Sequence, residues 1–236
     1  MTAQRKTRKP QRLPRGALDR PTVVAAALEI ADREGLAAVT MARVSEALGA
    51  ASPMALYRHL RDKQELLDAV ADLALSELPT IPRDARPWRP RLEEYAIESR
   101  RGALRHPALI EIVQQTWVRG AGAAAVGLDI IAVLREAGFE EDAAIRAYMA
   151  LRNHIVGFMA WEISRFHRGD GEFVHQVAAR FETGETPAKS PLRRFSQIVA
   201  DPEGLFLFAM GRLLDGFETE LQRMRSSSGR RTRASR

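Results

Sequence analysis

The stretch from Thr40 to Leu67, TMARVSEALGAASPMALYRHLRDKQELL, constrains this chain more than any other part of it. Thr40 stands as an N-cap ahead of Met41, Val44, Ala47 and Leu48, which recur at helical spacing. Gly49 follows Leu48 and tolerates the left-handed backbone that closes a helix. Ser52-Pro53 then restarts one, with Ser as cap and Pro at the first position, where no intrahelical N–H is required. Two short helices around a glycine turn, ending in an aromatic and several bases, have the layout of a helix-turn-helix. The second helix of that motif enters the major groove of duplex DNA.

The rest of the chain predicts helices and no strand. Residues 20–34 form a helix capped by Asp19 and ended by Gly35, with Val24, Ala27, Leu28 and Ala31 as its apolar stripe. Another helix starts after Asp62 and runs to about Leu78, with Leu66, Val70, Leu73 and Leu78 inward. PTIPRDARP (79–87) holds three prolines and three charges, which no helix survives, so a domain boundary falls there. Helices are expected near 88–105, from Pro107 to about Trp117, at 121–137, at 141–168 and at 202–224, with a mobile excursion over 169–200. The last two long helices are apolar on more than one face, through Ile145, Met149, Leu151, Val156, Phe158, Met159 and Trp161, and through Phe206, Phe208, Leu213, Leu214, Phe217 and Leu221. Such helices are either central to one subunit or shared with a second copy.

The expected fold is therefore all-α, with an N-terminal three-helix helix-turn-helix DNA-binding domain and a C-terminal helical ligand-binding and dimerisation domain. Its divisions are a disordered basic arm (1–18), the DNA-binding domain with its connecting helix (19–78), the effector domain (79–225) and a disordered basic tail (226–236). Charge agrees with that plan. Residues 1–20 carry seven bases against Asp19 alone, and residues 221–236 carry six arginines and no acid. The remainder holds 23 bases against 29 acids, so its net charge is −6 although the whole chain is +6. A body of that sign approaches DNA by one positive edge. The arm either touches DNA or is simply solvated. With no cysteine there is neither a disulfide framework nor a thiolate metal site. No apolar run reaches membrane-spanning length and the N-terminus lacks a leader's apolar core, so a soluble cytoplasmic protein without cofactor or metal is expected.

Over Asp19–Leu78 the chain resembles the tetracycline-repressor (TetR) family of bacterial transcription regulators. The resemblance rests on VVAAALEIADREGLAAVTM, the LG turn, LYRHL and DKQELLDAV, and continues more weakly through RRGALRHP and REAGFEEDAA, as in the branch with a tetracycline-repressor-type C-terminal domain. It implies a homodimer on a palindromic operator and a small-molecule effector. Thr40 and Arg43 at the start of one helix suit phosphate, and Arg43 also a guanine edge, or else a cap and a solvated side chain. Ser52, Pro53, Met54 and Ala55 form the leading turn of the reading helix. Being small or apolar, they favour thymine methyls over hydrogen bonds, unless Met54 is core. The resemblance places Tyr57 and His59 on the DNA backbone and Lys63 as a phosphate clamp. Arg58 is the best candidate for guanine. The sequence departs from the family in two places. Ala42 stands where an arginine is common, and Gly49 to Tyr57 spans eight positions instead of seven.

In the second domain, Tyr95, Ser99, Gln114, Trp117, Asn153, His154 and Phe158 are candidates to line an apolar effector pocket, each with an ordinary core role as the alternative. Asn153-His154 is the most pointed pair, because polar groups in an apolar run need partners that an effector could supply. Val113 occupies the place where repressors of tetracycline carry a chelating histidine, so that drug is not the expected effector. Two other functions compete. A constitutive architectural DNA-binding protein would show steep salt dependence and no effector response. An all-α enzyme is disfavoured by five dispersed histidines, His59, His106, His154, His167 and His175, with no evident partner in sequence.

Overall fold

Caps and turns set the first helices. The computed structural model describes residues 18–50, 52–82, 84–115, 121–167, 194 and 197–234. Helix α1 (Arg20–Glu34) begins where Asp19 Oδ1 accepts the Thr22 N–H at 2.9 Å, and ends at Gly35 with φ 88°. After a 3-10 turn (Leu36–Ala38), α2 (Met41–Ala47) is capped by Thr40, whose hydroxyl oxygen accepts the Arg43 N–H at 3.1 Å. Gly49, at φ 60°, turns the chain into a 3-10 helix over Pro53–Arg58. Asp62 Oδ1 accepts the Glu65 N–H at 2.8 Å and starts α3 (Lys63–Ser76).

These elements form the first of two compact units, residues 1–77 together with 106–115. Its core holds Val23, Ala27, Ile30, Val44, Leu56, Leu66 and Val70, all fully buried. Of the inward residues expected in α3, Leu66 and Val70 are buried, whereas Leu73 and Leu78 are half-exposed and Ala74 takes the inner place.

One helix of this unit comes from later in the chain. Helix α5 (Ala108–Gln115) lies between two effector-domain segments in sequence, yet it packs on α1 and α3. Asp32 of α1 caps it in trans: Oδ1 accepts the Ala108 N–H at 3.0 Å and Oδ2 accepts His106 Nδ1 at 2.8 Å. Glu111 Oε2 in turn accepts the Leu36 N–H at 2.9 Å, and Leu109 and Ile112 are buried. Residues 106–115, expected within the effector domain by their place in the chain, make their contacts in the first unit; local periodicity shows that a helix has an apolar face but not which neighbour covers it.

The second unit comprises residues 78–105 and 116–236. Helix α4 (Trp88–Arg105) packs on α6 (Ala121–Ala137) and on α7 (Glu141–Glu162), which passes into a π-helical turn (Ile163–His167). Helix α8 (Pro202–Ala234) packs on α7 and buries Phe206, Met210, Leu214, Phe217 and Leu221, a stripe at helical spacing. Phe139 meets Phe217 edge to face, centroids 6.2 Å apart. On α7, Leu151, Ile155 and Met159 are buried. Expectation also ended α8 near 224 and made 226–236 disordered. The helix instead continues to Ala234, since nothing in SSSGRRTRA forbids helical hydrogen bonding once an anchored helix leads into it.

No strand occurs among the described residues, so the fold is all-α. None of the helices there is long and apolar enough to cross a membrane. The basic arm (1–17) and most of the 169–200 excursion lie outside the described residues.

Candidate nucleic-acid interface

The 3-10 helix over Pro53–Arg58 is the short reading element of the motif, and two leucines hold it in place. Leu56 is fully buried and Leu60, just past its end, is 1% exposed. Everything else on it turns outward: Ser52, Pro53, Tyr57 and Arg58 are exposed, Met54 is 70% exposed, and Ala55 and His59 are half-exposed. Met54 is thus not core. Ser52 stands at the cap position with extended backbone and Pro53 directly after it, as expected, but its side chain makes no capping hydrogen bond. The reading element is wound as a 3-10 helix rather than an α-helix. The helix fits six residues into two turns, and its first backbone bond runs from the Ala55 N–H to the Ser52 carbonyl.

Around this element the cations fall into two groups. Arg43 is held by Glu34, through Nη2 to Oε1 at 2.6 Å and Nε to Oε2 at 3.2 Å, with Glu46 Oε2 a further 3.5 Å from Nη1. The Arg43 guanidinium keeps the Glu34 carboxyl below the ordinary carboxylate range, and Glu34 raises Arg43 in return. Arg61 and Arg20 converge on Glu65. The Arg61 backbone N–H, then the Arg61 and Arg20 side chains, pull the Glu65 carboxyl down to about 2. Arg58 and Lys63 are exposed instead, and among the described residues neither makes an ion pair. Lys63 stands at the first position of α3, on the surface beside the Asp62 cap.

The second unit separates the pocket candidates. His154 is half-buried with its Nε2 buried and unpartnered. Its ring stacks on Phe206 (centroids 5.4 Å apart, planes at 14°) and tilts against Phe158 at 6.0 Å. Phe158 also meets Phe206 and Trp161, each at 5.3 Å. Burial pushes the His154 imidazole below its ordinary range. Ser99 is buried but donates to the Tyr95 carbonyl of its own helix at 2.7 Å, and burial pushes the half-exposed Tyr95 phenol up. Asn153 is exposed, so the expected buried Asn-His pair reduces to His154 alone. Gln114 is exposed on α5, in the first unit, and Trp117 lies outside the described residues.

Sequence reasoning missed two polar features here. Arg100 of α4 grips Glu162 of α7 at 2.7 and 3.0 Å, the carboxylate being 3% exposed, with Glu203 a second partner at 3.4 Å. An open, largely acidic cavity of about 440 Å³ is lined by Ile81, Asp84, Arg91, Asp129, Ala132, Val133 and Glu136, and in it Arg91 binds Glu136 and the Pro82 carbonyl. Both combine residues 45 or more positions apart, which no local motif announces.

A helix capped by Thr40, a glycine turn and a short reading helix with Arg58 and Lys63 at its far end define a helix-turn-helix DNA-binding regulator. Residues 23–70 match the bacterial regulatory proteins of the tetR family, and residues 81–221 match the tetracyclin repressor-like C-terminal domain. The chain is 30% identical to the HTH-type transcriptional repressor DrrR1 of Streptomyces coeruleorubidus over 94% of its own length and 85% of that protein's. It superposes on a possible TetR family transcriptional regulator from Streptomyces coelicolor A3(2) with a TM-score of 0.67, at 25% identity, covering 85% of this chain and 99% of that one. A TetR variant from Acinetobacter baumannii AYE in complex with minocycline gives 0.59 at 26% identity, over 86% and 97%. The chain belongs to the tetR family of bacterial regulatory proteins. These are transcription regulators rather than enzymes.

Proposed function

We propose that two copies of this chain repress transcription by occupying a palindromic operator, and that a small apolar or amphipathic molecule held in the second unit releases them. The observation that carries the DNA reading is the set of exposed side chains on the 3-10 helix, Met54, Tyr57 and Arg58, based on buried Leu56 and Leu60. Within it, Arg58 addresses a base edge, and Thr40, Tyr57, His59 and Lys63 address phosphates. Arg43, already bound by two carboxylates, contributes as a preformed ion pair rather than as a free cation.

Dimerisation is supported by large apolar side chains left in water on α7 and α8: Ile145 at 42%, Leu207 at 43% and Phe208 at 67% exposed. The effector reading is supported by His154, Phe158 and Phe206, an aromatic group with an unsatisfied nitrogen, and by the minocycline complex of a family relative. Coupling follows from chain connectivity. Helix α5 belongs to the reading unit but is joined at both ends to effector-unit segments, so a ligand that favours one arrangement of α4 and α6 also biases α5.

Selection of binding sites from a random DNA pool tests this reading. The expected product is a palindrome with half-sites about 34 Å apart, or a multiple of that. Sedimentation of the free protein should show a dimer that Phe208→Glu converts to monomer. A site without two-fold symmetry, or specific binding by a monomer, would overturn it.

A further inference from the structure

We infer that each half-site is read chiefly through a methyl group, the C5-methyl of a thymine seated against the thioether of Met54. The inference rests on the DNA-binding reading above and adds what the reading helix recognises. A 3-10 helix has three residues per turn, so side chains at i and i+3 eclipse one another. Leu56 marks the inward row, and the neighbouring row consists of Met54 and Tyr57, 70% and 44% exposed. They are the large apolar side chains left exposed among the described residues of the first unit. An uncovered methionine on a soluble surface calls for a partner, and here the partner must lie where the reading helix points.

The donors that would read bases by hydrogen bonding are largely committed elsewhere. Arg43 is held by Glu34 and Glu46, and Arg20 and Arg61 by Glu65. Arg58 is left as one directional donor at the far end of the helix. The leading turn offers only the Ser52 hydroxyl, beside a proline ring, a thioether and Ala55. In the major groove thymine alone among the four bases displays a methyl group, so an apolar side chain there discriminates a T·A pair without any hydrogen bond. Methionine suits that task, being unbranched and polarizable with three rotatable bonds. Tyr57, eclipsed with it one turn later, flanks the contact on the side leading to the DNA backbone.

The test takes the full chain and the operator obtained by selection, and replaces each thymine in turn by deoxyuridine, which removes only the methyl. At one position per half-site, wild-type affinity should fall roughly fourfold, and roughly fifteenfold when both half-sites are changed. Met54→Ala should bind the thymine and deoxyuridine operators equally, while Met54→Leu keeps most of the difference. Both substitutions fall on an exposed side chain, and an unchanged circular dichroism spectrum would confirm that the fold survives. Equal affinity for thymine and deoxyuridine at every position, with operator still preferred over unrelated DNA, overturns the methyl reading and leaves the proposed function intact. A methyl dependence that survives Met54→Ala overturns the assignment to this residue. Failure of selection to yield any preferred site overturns both.

Discussion

The two units of this protein reach order by different means. The reading unit is assembled from short elements whose ends are fixed locally: Asp19, Thr40 and Asp62 cap three helices within three residues of themselves, and Gly35 and Gly49 turn the chain between them. Its ion pairs, Arg20–Glu65, Arg43–Glu34 and Arg61–Glu65, lie at the surface. The effector unit is built from helices of 17 to 33 residues, and its characteristic polar contact, Arg100–Glu162, is buried between two of them. A surface meant for a polyanion must keep its charges in water, where pairs are worth little and salt weakens them. An interior that holds a small molecule can bury charge only when it is fully paired.

The largest test of this contrast is Arg100→Ala. It strands a carboxylate that is 3% exposed and should cost the effector unit about 3–5 kcal/mol, read by urea denaturation. Replacing both partners by methionine should recover much of that loss, since the burial penalty goes with the charges. Leu56→Ala asks whether the reading unit depends on its core as well as on its caps. Removing a fully buried side chain should cost about 2–5 kcal/mol, with operator binding lost before global unfolding. Thr40→Ala should cost about 1 kcal/mol, because one N–H at the start of α2 loses its acceptor.

The smallest effect is one of pH. The Glu65 carboxyl is depressed from 4.5 to about 2, so its contribution is complete above 4.5 and fades as pH falls toward 2. Wild type and Glu65→Gln should therefore differ in stability at neutral pH and converge across that acid window, with the gap narrowed by salt. A gap that widened on acidification would contradict the exposed Arg20–Glu65–Arg61 cluster.

The same contrast governs what the sequence made legible. Asp19, Thr40 and Gly49 act on neighbours within a few positions, so α1, α2 and the start of α3 could be placed from residue identity alone. The reading face followed as well, because Leu56 and Leu60 bury one side of a short helix and leave the others outward. The 3-10 winding did not follow, since a six-residue segment after Ser52-Pro53 can wind as an α-helix or as a 3-10 helix and local propensity does not choose between them. In the effector unit Asn153 and His154 are adjacent in sequence, yet only His154 is drawn against Phe206, 52 positions away. Gln114 stands on α5, whose contacts with α1 and α3 lie too far along the chain for local periodicity to announce. Arg100 and Glu162 announce nothing in sequence, because two charges in amphipathic helices read as solvated until the packing is known.

Helix α5 carries a consequence for how such a regulator can be dissected. A fragment ending at residue 77 would contain the whole motif yet lack Leu109 and Ile112, exposing the apolar wall on α1 and α3 that they cover. Grafting the reader onto another sensor would therefore mean transplanting two separate stretches of the gene, residues 18–77 and 106–115. Heredity faces the same requirement, because a recombination breakpoint between them would part the reader from its own last helix.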